Sequence, residues 1–294
     1  MINFLKYRYI CALLSLVLCL GFAGLYFYRV ATRGYAFSYS VDFTGGTQLL
    51  FRFSKPVSDA KIKEILEKKG WSNPVMRDFT NDEVLVRVKE VATDVDGLGQ
   101  TMLATLKDGL NDSAITILKV DSVSGGVGEV LRWKSVYAVS LALILMLLYI
   151  WLRFLSISFG FGAVLSLLHD AIMILGVFLL LDKEISVNVV SAILAVLGYS
   201  VNDTIVIFNQ IRQNIKKMKN TSIENIVNIS INQTLRRTIL TSVSTALVVL
   251  SLFILGGEAL RDLSLALLLG IIFGTYSSIY IASPIMVSLY KDAK

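Results

Sequence analysis

The sequence predicts an α-helical polytopic membrane protein with six transmembrane helices and one small α+β domain, and three observations predict it. First, 55% of the 294 residues are apolar and only 17% are charged, with a mean hydropathy of +0.67. An ordinary soluble domain carries about 25% charged residues, so this chain lacks the surface a soluble globule needs. Second, the apolar residues fall into six long runs. Third, about a hundred residues after the first run have a soluble composition with most of the acidic residues. The abundance of aliphatic and aromatic side chains excludes a disordered chain.

The first run, Ile10 to Tyr28, contains no charge and is long enough to cross a hydrocarbon core of about 30 Å. Lys6 and Arg8 precede it, and Arg29 and Arg33 follow. A secretory signal has a shorter apolar core and a small-residue cleavage site, so an uncleaved anchor is expected. Cys11 and Cys19 both lie inside this run, where neither can staple an outer domain, and no disulfide framework is expected.

The segment 30–133 reads strand, helix, strand, strand, helix, strand. Its first strand is expected near Gly46–Phe53. A helix follows Pro56, with Ile62, Ile65 and Leu66 at helical spacing and Gly70 as its stop. Strands near Val75–Phe79 and Glu83–Val88 flank the turn signal Thr80-Asn81-Asp82. A second helix is expected over Leu98–Leu110, and Ala114–Val123 is the last strand. That order is the ferredoxin-like split βαβ, a common superfold that implies no chemistry by itself.

The remaining five spans lie near Ser135–Trp151, Ile157–Leu181, Asn188–Phe208, Ile239–Leu255 and Leu263–Leu289. The chain thus divides into a first helix (1–29), an extracytoplasmic α+β domain (30–133) and a five-helix transmembrane bundle (134–294). With the N-terminus inside, Lys6, Arg8, Arg153, Arg212, Lys216, Lys217, Lys219, Arg236, Arg237, Lys291 and Lys294 fall on the cytoplasmic side. The two short outer loops hold only Lys183 and Arg261. This positive-inside bias accounts for the net charge of +6 and the pI of about 9.2 without nucleic acid as a partner. It leads to the expectation of a multi-pass protein with both termini on the inner, cytoplasmic side and 30–133 outside.

Polar groups at bilayer depth demand explanation, because a charge at mid-membrane costs about 2.5–3.5 kcal/mol on insertion scales. His169 and Asp170 lie near the middle of the third span. Asn202, Asp203 and Thr204 lie in the inner half of the fourth. Arg236 and Arg237 stand at the entry to the fifth, followed by Thr238, Thr241, Ser242, Ser244 and Thr245. The sixth carries Gly270, Gly274, Thr275, Tyr276, Ser277, Ser278 and Pro284. Each has a structural reading: Arg236 and Arg237 as interface anchors, the small residues of the sixth span as close-packing positions, and Asp170 as partner of His169 or a hydroxyl. Asp203 resists that reading most. Desolvation favours the neutral form of a carboxyl and a nearby arginine favours the charged form, so an arginine that moves can make a carboxyl capture and release a proton. Asp203 with Arg237 is therefore the candidate proton relay, with His169, Asn202 and Thr204 as supporting polar groups, while Asp170 stays open between a structural role and a place in the relay.

The lone His169 excludes a multi-histidine metal site. The sequence holds no Walker motif, no dinucleotide glycine fingerprint and no nucleophile with a candidate base, so neither an enzyme activity nor a cofactor is expected. Two intramembrane aspartates raise an aspartyl protease, but HD and ND contexts do not match the YD and GxGD pairs of that class.

The strings VDFTGGT (Val41–Thr47), LLHD (Leu167–Asp170), GYSVNDTIVIF (Gly198–Phe208), TLRRTILTS (Thr234–Ser242) and FILGGEALRDLSLALLLGIIFGTYSSIYIASP (Phe253–Pro284) carry a resemblance to a known family. In order and topology the chain resembles the SecD/SecF protein-export membrane proteins of the RND superfamily. The resemblance implies an RND-like half of six helices, which pairs with a SecD-like six-helix subunit. It implies that the pair assists the SecYEG translocon in moving exported preproteins, using the proton-motive force. It places the family's proton-linked aspartate and arginine at Asp203 and Arg237, and the LHD aspartate at Asp170. The chain departs from the pattern in three places. FNQIRQN replaces FDRIREN, so Asn209 and Gln210 stand for an acid and a base. SGGVGEV (Ser124–Val130) lacks the usual proline, and Arg236 occupies a serine position. The rival readings are a self-sufficient RND-type exporter of small molecules or lipids, and a passive assembly scaffold. One six-helix half argues against the exporter, since a pseudo-two-fold transporter needs two.

Overall fold

The computed structural model describes residues 2–71, 74–78, 82–88 and 95–290. Phe79, Thr80 and Asn81 of the expected strand and turn, and Lys291 and Lys294, lie outside the described residues. The chain forms two compact units: residues 39–136, and a helical unit of the residues up to Ser38 with those from Tyr137 onward.

A two-residue strand β1 (Ser38–Tyr39) straddles the unit boundary and leads to a one-turn helix α2 (Val41–Thr44) of the smaller unit, which the sequence reading did not anticipate. Ser40 caps it by accepting from the Asp42 N–H, and two glycines end it, Gly45 at φ 72° and Gly46 at φ 108°. That left-handed backbone is open to glycine at little cost. Gly128 packs against the same turn. A Cβ there would meet the Gly45 nitrogen and the Phe43 carbonyl at 3.0 Å, so the backbones touch directly.

The strands β2 (Gly46–Arg52), β3 (Val75–Asp78), β4 (Glu83–Val88) and β5 (Thr116–Val123) form one sheet in the order β3-β4-β2-β5, with every neighbouring pair antiparallel. The helices α3 (Asp59–Lys68) and α4 (Val95–Leu110) complete the split βαβ order expected from the sequence. Register follows the apolar pattern: Leu49 pairs with Val86 and Phe51 with Val84, and all four are buried with Ile62, Leu66, Met102 and Leu106. Burying such a side chain contributes about 1.5–3 kcal/mol, which is why the alternation in GTQLLFRF fixes the inward face. Beside β2, the Ser54 hydroxyl (2.7 Å) and N–H (3.1 Å) both donate to Asp112 and hold its carboxyl below the ordinary range.

The helical unit contains α1 (Arg8–Arg33), the membrane-length part of α5 (Gly125–Phe154), α6 (Ile157–Leu180), α7 (Val187–Lys217), α8 (Ile223–Leu255), α9 (Glu258–Ser277) and α10 (Ser283–Leu289). A two-residue strand β6 (Glu184–Ile185) lies between α6 and α7. Among the described residues six spans are long and apolar enough to cross a membrane, the number read from the sequence. The α6, α7 and final spans form the packed centre, whereas α1, α5 and α8 leave most of their apolar surface open.

The final span is not one helix from Leu263 to Leu289. Between α9 and α10 lies a π-helical turn, Ser278–Ala282, immediately before Pro284. Proline has no N–H to donate to the preceding turn and its ring crowds that carbonyl. The wider turn accommodates this, and Ser283 donates its hydroxyl to the Ser278 carbonyl at 3.0 Å.

Glycines set the helix spacing here. A Cβ on Gly270 would lie 2.1 Å from Val196 Cγ2, one on Gly274 2.9 Å from the Ser200 Cβ, and one on Gly162 2.7 Å from the Ala282 carbonyl oxygen. Close packing is therefore what these small residues do, as it is in membrane helix interfaces generally.

Candidate functional site: a buried carboxylate and hydroxyl belt

Asp170 on α6 is fully buried. Ser200 of α7 donates to its Oδ2 at 2.6 Å and Ser277 of α9 at 2.9 Å, while His169 Nδ1 lies 3.3 Å from Oδ1. One carboxyl thus ties three helices together. Hydrogen bonds are stronger where water is excluded. Ser277 is the last residue before the π-helical turn, so the irregular backbone adjoins this carboxyl. Such π-turns recur at functional sites.

Asp203 lies on α7 three residues beyond Ser200 and is also buried. Ser242 of α8 lies against its carboxyl, and Arg237 of α8 acts on it electrostatically. Among the described residues no ion pair within 4 Å joins Asp203 to Arg237, and Arg237 is exposed in the isolated chain. Ser242 in turn shares a 2.8 Å hydrogen bond with Thr275 of α9, two residues from Ser277. The two carboxyl clusters adjoin along the chain, Ser200 and Asp203 within one turn of α7 and Thr275 and Ser277 within one turn of α9. Together they make a polar belt across α6, α7, α8 and α9 in which no hydrogen bond among the described residues joins one carboxyl to the other.

Among the described residues, His169 Nε2, Asp203 Oδ2 and, one turn before Ser242 on α8, Thr238 Oγ1 are buried without a hydrogen-bond partner within this chain. Each such atom costs about 1–3 kcal/mol.

The structure brings Asp170 and His169 together and sets Asp203 one helical turn from Ser200, the α7 partner of Asp170. Thr204 is buried and its hydroxyl reaches the Ser200 carbonyl at 3.4 Å, whereas Asn202 is exposed. Sequence reasoning missed Ser200 as a partner of Asp170. Its position two residues before Asn202 in GYSVND was visible, but nothing in helical periodicity says that it faces α6. Tyr276 was likewise read only as part of a small, polar helix. Its hydroxyl donates to the Cys11 carbonyl at 2.8 Å and lies 3.0 Å from Ser15, joining α1 to α9.

This geometry defines a polytopic helical membrane protein with a charge-bearing centre buried between its helices and one ferredoxin-like domain inserted after the first span. Residues 103–292 match the family model of the protein export membrane protein SecD/SecF, C-terminal, and residues 36–57 match the SecD/SecF GG motif. The chain belongs to the SecD/SecF family. It is 37% identical over 295 residues to a protein translocase subunit SecF from Thermodesulfovibrio yellowstonii, covering 99% of this chain and 96% of that one. It is 41% identical over 255 residues to the SecF of Vibrio alginolyticus, covering 86% and 80%. The crystal structure of SecDF from Thermus thermophilus, described as a translocon-associated membrane protein, superposes with a TM-score of 0.85 at 36% identity. The match covers 98% of this chain and 38% of that longer one; a super-membrane-facing form of SecDF gives 0.69. The GG motif now has a physical content: Gly45 and Gly46 are the two left-handed residues that end α2 against Gly128.

Proposed function

We propose that this chain acts as the SecF-type subunit of the Sec preprotein export machinery. It pairs with a SecD-like six-helix chain, works with the SecYEG translocon on exported preproteins, and couples the proton-motive force to their movement. The role is a non-enzymatic one in the plasma (inner) membrane. The observation that carries the reading is the unclosed carboxylate of Asp203, buried between helices with Arg237 of the next helix in electrostatic reach but not bonded to it. A rigid ion pair would have no proton to move. An arginine that approaches and withdraws alternately displaces and readmits a proton on Asp203, and hydroxyls of the belt with Asp170 carry it onward. The membrane potential contributes about 2.3 kcal/mol per charge per 100 mV to such a step.

The open faces of α1, α5 and α8 also favour a partner, since the polar stripe on α8 needs a protein surface rather than lipid. Affinity purification of the full chain from native membranes is expected to bring down a second six-helix chain in stoichiometric amount. A stable monomer that by itself stimulates export in liposomes would refute the pairing.

The charge bias predicts the orientation. Reporter enzymes fused at Asn111 are expected to be active only outside the cell, and those fused at Lys217 only inside. The reverse pattern would invert the map.

A further inference from the structure

Two arginines that the proton relay does not use stand beside the turn between α5 and α6. Arg153 ends α5, and its guanidinium lies 5.8 Å from the centre of the Phe154 ring. Arg212 comes from α7; its guanidinium lies 5.3 Å from the same ring centre, and its Nη1 donates to the Arg153 carbonyl at 3.2 Å. The ring between them is fixed: Phe154 is buried, stacks on Phe159 at 5.1 Å and meets the edge of Phe208 at 6.0 Å. Neither arginine has an acidic partner among the described residues. Elsewhere in the helical unit arginines do pair, as Arg8 does with Glu224 and Arg29 with Asp182.

Beside this pair the surface turns apolar. Leu152, Leu155 and Ile157 are all exposed, Leu155 at 84%. Leu155 also has φ 51° where its N–H reaches back to the Trp151 carbonyl, a helix-ending position that glycine normally fills. A leucine held there against its backbone preference displays its side chain at the end of the bundle. Two unpaired guanidiniums at a bilayer interface, next to an exposed apolar rim, match one kind of ligand: a phosphate at headgroup depth with acyl chains attached. Guanidinium suits phosphate because its planar donors bond it in pairs, and stacking on Phe154 orients them beforehand.

We propose that Arg153 and Arg212, mounted on Phe154, form a binding site for the headgroup of an anionic phospholipid, whose chains lie along Leu152, Leu155 and Ile157. This site is separate from the proton relay and does not depend on that reading. It differs from a diffuse positive surface in using two fixed arginines rather than the sum of nearby lysines.

The test is native mass spectrometry of the full chain in neutral detergent with added phosphatidylglycerol or phosphatidylcholine. The wild type is expected to retain phosphatidylglycerol and not phosphatidylcholine. A basic residue at the surface is worth about fivefold in binding, so Arg153→Gln with Arg212→Gln is expected to reduce retention by tenfold or more. Lys216→Gln with Lys217→Gln is expected to leave it unchanged. Arg153→Lys with Arg212→Lys preserves charge and so guards against loss of folding; it is expected to bind several-fold more weakly, with unaltered thermal unfolding in the absence of lipid. Glycerol phosphate, which has the anion without the chains, is expected not to displace the lipid. Full retention by the glutamine pair, wild-type binding by the lysine pair, or displacement by glycerol phosphate would each overturn the proposal.

Discussion

Asp203→Asn is expected to reduce the potential-dependent stimulation of preprotein export to background while leaving the chain in the membrane at normal abundance. Asparagine keeps the shape of the carboxyl and can still bond Ser242, but it carries no titrating proton. The second arm is Arg237→Ala, which removes the charge that displaces the proton and is expected to give the same defect by the opposite electrostatic route. Arg237→Lys is expected to recover part of the activity at most, since the charge remains and the planar fork is lost. A structural ion pair predicts something different. Both single variants would then lose protein from the membrane, and an uncharged double variant would regain abundance and activity together. Export into energised vesicles at matched protein levels decides between them. Wild-type stimulation by Asp203→Asn would end the relay, and with it the distinction from a passive scaffold.

The second large effect is expected at Gly270 and Gly274. Overpacking a helix interface costs about 1–3 kcal/mol, and at Gly270 a single methyl would stand 2.1 Å from Val196 Cγ2. Gly270→Ala is therefore expected to lower the thermal midpoint and the membrane level of the protein, and Gly270→Ala with Val196→Ala to restore both. Gly274→Ala acts differently. Its methyl would press on the Ser200 Cβ at 2.9 Å and push away the hydroxyl that bonds Asp170 at 2.6 Å. Its expected signature is a loss of export stimulation that exceeds the loss of protein, because it opens the three-helix tie at Asp170. Should Gly274→Ala change abundance alone, the Asp170 network has no part in activity.

The position of Asp170 also separates its role from that of Asp203. A carboxyl with two serine donors and a histidine beside it is held in place as an onward station, whereas Asp203 has an oxygen without a partner among the described residues and is the one that Arg237 acts on. Both were singled out for the same reason, a charged residue at bilayer depth. Their surroundings differ only because of which helix each one faces.

The sequence by itself determined the number of spans, since the apolar content of an 18-residue stretch decides whether it crosses a bilayer whatever its neighbours are. Alternation in GTQLLFRF and helical spacing at Ile62, Ile65 and Leu66 also determined the ferredoxin-like order, because those periods are set by backbone geometry. It singled out Asp170, Asp203 and Arg237 through the cost of charge in lipid. It could not supply the partners. Ser200 meets Asp170, Thr275 meets Ser242 and Gly270 admits Val196 across helices far apart in sequence, and those meetings depend on how α6, α7, α8 and α9 cross. The meeting of Arg153 with Arg212 at Phe154 joins residues 59 positions apart, on α5 and α7, in the same way. The π-helical turn was partly legible in Pro284, but only packing decided that the chain widens its turn beside Ser277 rather than bending away. Periodicity reports which face of a helix is apolar; only the crossing of helices decides what that face touches.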